Sequence, residues 1–345
     1  MKALVTGANG FLGRHVVSAL LARNVELRVL VRPAARIEEL NWPDSVEVVR
    51  GDLRSSSDLE KAFEGIQLLV HLAAAHDGGE DGVFRAAVVG TERLLAAMAR
   101  TPCKRLLLAS SCSVYDWSRV RGTLDENSPL EPIADLYARD GYSIAKFWQE
   151  RIVRRFAAEH GWDLTVLRPG NIWGRDHAYL AALGLKLGRF YLVIGPTSRL
   201  PMVHVENCAD LFALAAVDPR ARGDTFNVVD DSEKKWIWTL LGNYFRGAGR
   251  RGIRIPIPYR LAYLAVSWAF ATVFRRNPTL PHILIPCRFE SRLKPLRYTN
   301  RRAREVLGWQ PPLNYRQCLA RTFGEGPAPA PAAPVLIGLE QKIPS

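Results

Sequence analysis

Thr6-Gly7-Ala8-Asn9-Gly10-Phe11-Leu12-Gly13 follows a short apolar run at the start of the chain and leads into a helical pattern, Leu12–Leu21. Few folds accept glycines at that spacing in that place. Three glycines let a backbone turn sharply, approach a pyrophosphate closely and pack a helix against a strand, with the phosphate charge resting on the helix N-terminus. The rest of the first half agrees with such a turn. Apolar runs at Lys2–Val5, Glu26–Val31, Val46–Arg50, Leu68–His71, Arg105–Ala109 and Leu164–Arg168 alternate with helical patterns at Leu12–Leu21, Asp58–Phe63, Val88–Ala99 and Tyr142–His160. Strands that read as nearly unbroken apolar runs are buried on both faces. The expected fold is α/β, a doubly wound parallel sheet of the dinucleotide-binding kind, with a smaller C-terminal substrate lobe.

In domain terms, residues 1–170 should form the dinucleotide-binding part, with a helix and strand from 203–229 returning to its sheet. Residues 171–325 should be mostly substrate lobe, and 326–345, rich in Pro and Ala, a flexible tail. The five cysteines (Cys103, Cys112, Cys208, Cys287, Cys318) are scattered, with no CxxC pair. They read as reduced thiols of a cytoplasmic protein, without a metal site. A strand beginning at Lys2 leaves no room for a signal peptide.

Other residues extend the nucleotide site. After the second strand an acidic residue would bind a ribose 2′-hydroxyl, whereas an arginine accommodates a 2′-phosphate. Here Arg32 stands at that point and no carboxylate follows until Glu38. NADP is therefore the expected cofactor, NAD the alternative; a solvated or adenine-stacking Arg32 would leave the choice open. Asp52, with Leu53 beside it after the third strand, is placed to accept from an adenine amino group.

Three motifs together resemble the extended short-chain dehydrogenase/reductase superfamily, the NAD(P)-dependent epimerase/dehydratase enzymes. They are the glycine turn, Ser111 in Ser110-Ser111-Cys112-Ser113-Val114-Tyr115, and Tyr142-Ser143-Ile144-Ala145-Lys146. Further landmarks fall in order: Gly51-Asp52-Leu53, His71-Leu72-Ala73-Ala74, Val88-Val89-Gly90-Thr91, Leu167-Arg168-Pro169, His204-Val205-Glu206-Asn207 and Leu307-Gly308-Trp309. The resemblance covers about 1–323. It implies cofactor contacts at Thr6, Gly7, Asn9, Gly10, Phe11, Leu12, Gly13, Arg32, Asp52, Leu53, Leu72, Ala73, Ala74, Tyr142, Lys146 and Pro169. It also implies a catalytic set of Ser111, Tyr142 and Lys146, and selects Ser111 over Ser110 by its spacing from Tyr115. Ser113 and Asn171 are weaker substrate contacts. Family members often carry Asn where this chain has Ala87, a departure that touches detail near the site.

The chemistry of the Tyr/Lys pair can be stated independently. Residues four apart on a helix share a face, about 5–6 Å apart. A free phenol titrates near 10, so proton transfer at neutral pH needs its pKa lowered by roughly 3 units, about 4 kcal/mol. A neighbouring ammonium and the positive nicotinamide have the right sign.

Charge is distributed unevenly. Residues 1–219 balance at zero, while 246–304 hold fourteen basic residues against Glu290 alone, which matches the net +13 of the chain. Within that stretch Leu261–Phe274 has no charge and is bracketed by Arg260 and Arg275-Arg276. Fourteen residues are too few to span a bilayer, which takes roughly 20. The segment reads either as a buried helix of the substrate lobe or as a helix lying in an anionic membrane interface. The layout of this region resembles the 3β-hydroxysteroid dehydrogenase-like branch, and Val31-Arg32 the dihydroflavonol reductase-like enzymes.

The function expected is an oxidoreductase moving a hydride between NADP(H) and a hydroxyl or ketone of a fairly apolar, sterol-, terpenoid- or lipid-like substrate. Alternatives are a nucleotide-sugar epimerase with retained NAD, which Asn171 favours, and a non-catalytic, membrane-associated cofactor-binding module. Expected partners are a small-molecule substrate and an anionic membrane surface met through 246–304; a homodimer is a possible assembly. No nucleic-acid motif accompanies the basic stretch. The expected location is cytoplasmic, peripheral to the inner face of a membrane where that contact is made.

Overall fold

Val, Leu and Ala at positions 3–5, 27, 29–31, 68–70 and 106–109 alternate their side chains to opposite faces of the sheet, so burying both faces takes apolar residues at nearly every position. The computed structural model describes residues 1–54, 59–73, 82, 84–131, 141–178, 185–230, 236–247, 251–274 and 285–324. In it these runs become β1 (Lys2–Thr6), β2 (Glu26–Val31), β3 (Glu47–Arg50), β4 (Leu68–His71) and β5 (Arg105–Ala109). There follow β6 (Thr123–Leu124), β7 (Asp163–Pro169), β8 (Asn171–Trp173), β9 (Leu185–Leu187), β10 (Phe190–Ile194) and β11 (Met202–His204). Strands β12 (Thr225–Val228), β13 (Ile253–Ile257) and β14 (Arg297–Tyr298) complete the set. Seven strands form one sheet in the order β12-β7-β5-β4-β1-β2-β3, every pairing parallel.

Each face of that sheet has its own core. Ala3, Val5, Val29, Val70 and Leu107 pack under the helices Phe11–Leu21 and Val205–Val217. Leu4, Leu30, Leu69, Leu106 and Val166 pack under Gly90–Ala99 and Gly141–His160. Each such leucine contributes about 1.5–3 kcal/mol through burial. Between β1 and β4 the order reverses direction, and ligands of open parallel sheets bind in the crevice at the strand C-termini there.

The Leu307-Gly308-Trp309 landmark is a helix stop. Gly308 takes φ +67° after the helix Arg301–Leu307, and its N–H donates back to the Arg304 carbonyl at 3.0 Å. Trp309 then enters the first core and donates from Nε1 to Asp210 at 2.9 Å. Asn207 plays a similar structural part, exchanging two hydrogen bonds of 2.9 Å with the Leu313 backbone.

Three expectations change. Where a helix was expected over Asp58–Phe63, the described residues Leu59–Phe63 form a short 3-10 segment, followed by Gly65 at φ +72°. The helix expected from Val88 begins properly at Gly90, because residues 85–89 take a wider π turn that runs straight into it. The Leu261–Phe274 segment is a helix, Tyr259–Ala269, extended by a π turn over Phe270–Phe274, and none of the helix residues is buried. It therefore is not an interior helix: one side rests on Phe289 and the other faces outward. Cys103, Cys112, Cys208 and Cys318 are free and buried. The 326–345 tail lies outside the described residues.

Candidate active site

The glycine turn is built to be filled closely. Gly7 has φ +73°, and a Cβ there would sit 2.8 Å from the Ala73 nitrogen, so the turn lies directly on the chain leaving β4. A Cβ on Gly13 would stand 2.0 Å from the Gly7 carbonyl, which fixes the helix hard against the turn. Gly10 caps the helix Phe11–Leu21 without any side-chain hydrogen bond, so the first-turn N–H groups remain for an anion. Asn9, Phe11 and Leu12 are half-buried around this mouth, and Leu72 and Ala73 are its far wall. A dinucleotide's pyrophosphate fits that cradle. Ala74 lies outside the described residues.

At the adenosine end Arg32 is exposed just past β2. Asp52 is gripped by Arg54, whose Nη2 donates at 2.8 Å. The Arg54 bond, with weaker help from Arg32, holds the Asp52 carboxyl below its ordinary value despite partial burial. Leu53 packs against Gly90, where an added Cβ would lie 3.2 Å away.

Beneath the turn runs a buried polar chain joining three strand ends. The Thr6 hydroxyl lies 2.6 Å from His71 Nδ1, and His71 Nε2 lies 2.8 Å from the Thr91 hydroxyl. Thr91 gives its own proton to the Ala87 carbonyl. The Gln149 amide nitrogen lies 3.1 Å from His71 Nε2 as well, so Thr91 and Gln149 both meet that ring nitrogen. Burial, and then the nearby Lys146 charge, push the His71 pKa down to about 3, and the ring is neutral. Gln149 Nε2 donates to Thr91 at 2.9 Å and to the Ala73 carbonyl at 3.3 Å. Its Oε1 accepts from Lys146 Nζ at 2.8 Å, and the same ammonium donates to the Ala109 carbonyl at 2.7 Å. Two of three ammonium protons are thus committed among the described residues, and one is left for an incoming oxygen. Burial lowers the Lys146 pKa to about 8, with Glu150 opposing the shift.

Tyr142 lies one turn before Lys146 in the helix Gly141–His160 and is partly buried. That helix packs on the short turn Cys112–Val114 that follows β5. Ser111 caps this turn, its Oγ accepting from the Ser113 N–H at 3.1 Å, which leaves its own proton to give. Ser110 points the other way and donates to Glu150 in the core. The two adjacent serines are thereby separated into one inward and one half-exposed hydroxyl. Pro169 is buried at the end of β7, while Asn171 is exposed at the start of β8, its N–H donating to the Pro201 carbonyl at 2.5 Å.

A second buried network adjoins the first. Arg168 donates to Glu150 from Nη2 at 2.5 Å and from Nε at 3.1 Å. It also donates from Nη1 to the Tyr115 hydroxyl at 3.0 Å, and Tyr115 passes its proton to Asn227 at 2.7 Å. The sequence reading missed Gln149, Glu150, His71 and Thr91 as parts of the site. One signal was present: Lys146, Gln149 and Glu150 put polar groups on the side of a helix that must face the sheet.

Residues 3–228 match the NAD dependent epimerase/dehydratase family, and the chain belongs to it. Such proteins are enzymes working with a nicotinamide dinucleotide, so the non-catalytic alternative falls. The 4-hydroxy-2-methyl-3-oxo-4-farnesyl-3,4-dihydroquinoline-1-oxide ketoreductase of Stigmatella aurantiaca is 33% identical over 226 residues, 63% of this chain and 64% of that protein, a little under two-thirds of its length. Sterol-4-alpha-carboxylate 3-dehydrogenase, decarboxylating, of Homo sapiens is 26% identical over 344 residues, covering 93% of this chain and 87% of that one. The crystal structure of UDP-glucuronic acid 4-epimerase from Bacillus cereus, complexed with UDP-glucuronic acid and NAD, superposes with a TM-score of 0.68 at 18% identity. The alignment covers 94% of this chain and 98% of that chain, and at such identity it speaks for the fold alone.

Proposed function

We propose that this chain is an NADP(H)-dependent reductase or dehydrogenase acting on a hydroxyl or ketone of a fairly apolar substrate. The observation that carries the cofactor choice is Arg32, exposed beyond β2 where a carboxylate would exclude a 2′-phosphate, with Asp52 already held by Arg54. Relatives named for sterol and farnesyl-quinoline substrates support the apolar class.

The cofactor supplies the hydride acceptor or donor; the protein supplies the rest. The first-turn N–H groups after Gly10 would hold the pyrophosphate, and the remaining Lys146 proton would go to a ribose hydroxyl. Tyr142 gives a proton to the substrate oxygen in reduction and takes it back in oxidation. The Lys146 ammonium one turn away favours the phenolate. Ser111, whose oxygen accepts from the Ser113 N–H, donates its own proton to the same oxygen and polarises the carbonyl. An epimerase with retained NAD is the second reading, favoured by Asn171 exposed beside the exit of β7.

The test is to denature the purified protein, identify any nucleotide released, and titrate the emptied protein with NADPH and NADH. NADPH should bind at least tenfold tighter, about 1.4 kcal/mol, and Arg32→Ala should narrow that margin. Tightly retained NAD overturns the reading in favour of the epimerase. Tyr142→Phe should abolish reduction of apolar cyclic ketones while leaving NADPH affinity intact.

A further inference from the structure

We propose that the outer face made by β9, β10 and β13 together with the helix Tyr259–Ala269 docks this enzyme on an anionic lipid surface. The inference stands apart from the reaction proposed above and rests on where the lobe leaves its apolar residues.

Register places Leu187, Phe190 and Ile253 side by side across the three-stranded sheet, with Leu192 and Ile255 in the next row. The alternate residues, Tyr191 and Val193, point inward to Phe245 and Ile237. A small sheet with one packed face ordinarily has a polar outer face. This one carries Leu187 and Ile253 exposed at 58% and 50%. Pro258 then leads into the helix, where Leu261, Leu264 and Trp268 are exposed at 62%, 64% and 68%. Spacings of three and four put those three on one stripe. The opposite side, Tyr259 and Tyr263, rests on Phe289.

Charge decides the occupant. From Glu233 to Glu290 the sequence contains no intervening carboxylate. Arg189, Arg246, Arg251 and Arg260 are exposed in this part of the lobe, and Arg189 lies over the Phe190 ring at 5.2 Å. A second copy would bring the same arginines to the contact and no partner for them. Anionic headgroups complement them, and an apolar stripe with a tryptophan and flanking arginines is what sits at a bilayer interface. Among the described residues no helix is long and apolar enough to cross a membrane, so the attachment is peripheral.

Flotation of the full chain with vesicles of phosphatidylcholine alone, or with phosphatidylglycerol added, tests this. Binding should appear with the anionic vesicles at least tenfold more strongly and fall as salt is raised. Arg260→Gln should weaken it about fivefold. The triple variant Leu261→Ser, Leu264→Ser, Trp268→Ser should lose it, with circular dichroism and NADPH affinity unchanged. A second variant, Leu187→Ser with Ile253→Ser, should weaken it as well. No binding to either vesicle, equal binding to both, or a triple variant that binds like the parent overturns the proposal. So does a dimer in solution that the triple variant splits, since the face would then belong to a second copy.

Discussion

Replacing Glu150 with glutamine tests the buried network that ties the helix Gly141–His160 to the ends of β5 and β7. The carboxylate accepts from Arg168 twice, from Ser110, and from Arg154 Nε at 2.9 Å. Arg168 is only 2% exposed, so losing the anion leaves a guanidinium buried without a counter-charge. Breaking one side of such a pair costs about 3–5 kcal/mol. Glutamine keeps one acceptor oxygen, so roughly 3 kcal/mol is expected, a drop of about 6 °C in Tm at about 2 °C per kcal/mol for a chain of this size. Urea unfolding can be followed through the nine tryptophans. The midpoint should fall without a change in slope. Burial alone would raise the Glu150 carboxyl pKa, but Arg168, Arg154 and Ser110 hold it well below the ordinary carboxylate range. A depressed carboxyl stabilises the fold above its unfolded value and loses that contribution as pH falls toward the folded one. The parent should therefore lose stability below about pH 4.5, and the variant should lack that component. Glu150→Leu combined with Arg168→Met should recover part of the loss, since the buried guanidinium goes with its carboxylate. A glutamine variant within 1 kcal/mol of the parent would refute the reasoning.

Gly13→Ala should weaken nucleotide binding more than tenfold and cost about 1–3 kcal/mol, because its Cβ would meet the Gly7 carbonyl at 2.0 Å; fluorescence titration with unchanged affinity would contradict the cradle described. Lys146→Met should end turnover and remove one component of the pH dependence of stability. The folded pKa of this amine is lowered to about 8 from 10.5, so the charged form is penalised in the fold. The parent's stability should rise as pH climbs between those two values, and the methionine variant's should not. Parallel stability–pH curves for the two proteins would sink this account.

Much of the sheet was legible because parallel strands need apolar residues on both faces. Glu26–Val31, Leu68–His71 and Arg105–Ala109 have the expected bounds. The placing of Ser111 just past the strand Arg105–Ala109, and of Tyr142 and Lys146 on one helix, was legible in the apolar patterning, while the choice of Ser111 over Ser110 came from the family resemblance. Long-range pairing was not legible. Arg168 and Glu150 come from different elements, and the His71–Thr91–Gln149 chain joins a strand and two helices, so no local pattern marks them as partners. The basic, uncharged-centre helix was ambiguous for another reason. Its apolar residues are nearly continuous, and only packing on Phe289 decides which side is covered.

The position of β12 bears on how the chain is made. It pairs with β7 at the far end of the sheet, yet β8 to β11 and the helix Val205–Val217 are synthesised between them. A nascent chain ending anywhere from Trp173 to Asp224 has Val166 to Pro169 along an open edge. Domains that fold during synthesis are prone to mispairing at such edges. The ribosome must deliver β8 to β11 before the seven-stranded sheet can close, so a pause in translation within that stretch would favour aggregation, whereas one late enough for Thr225–Val228 to have left the ribosome would not.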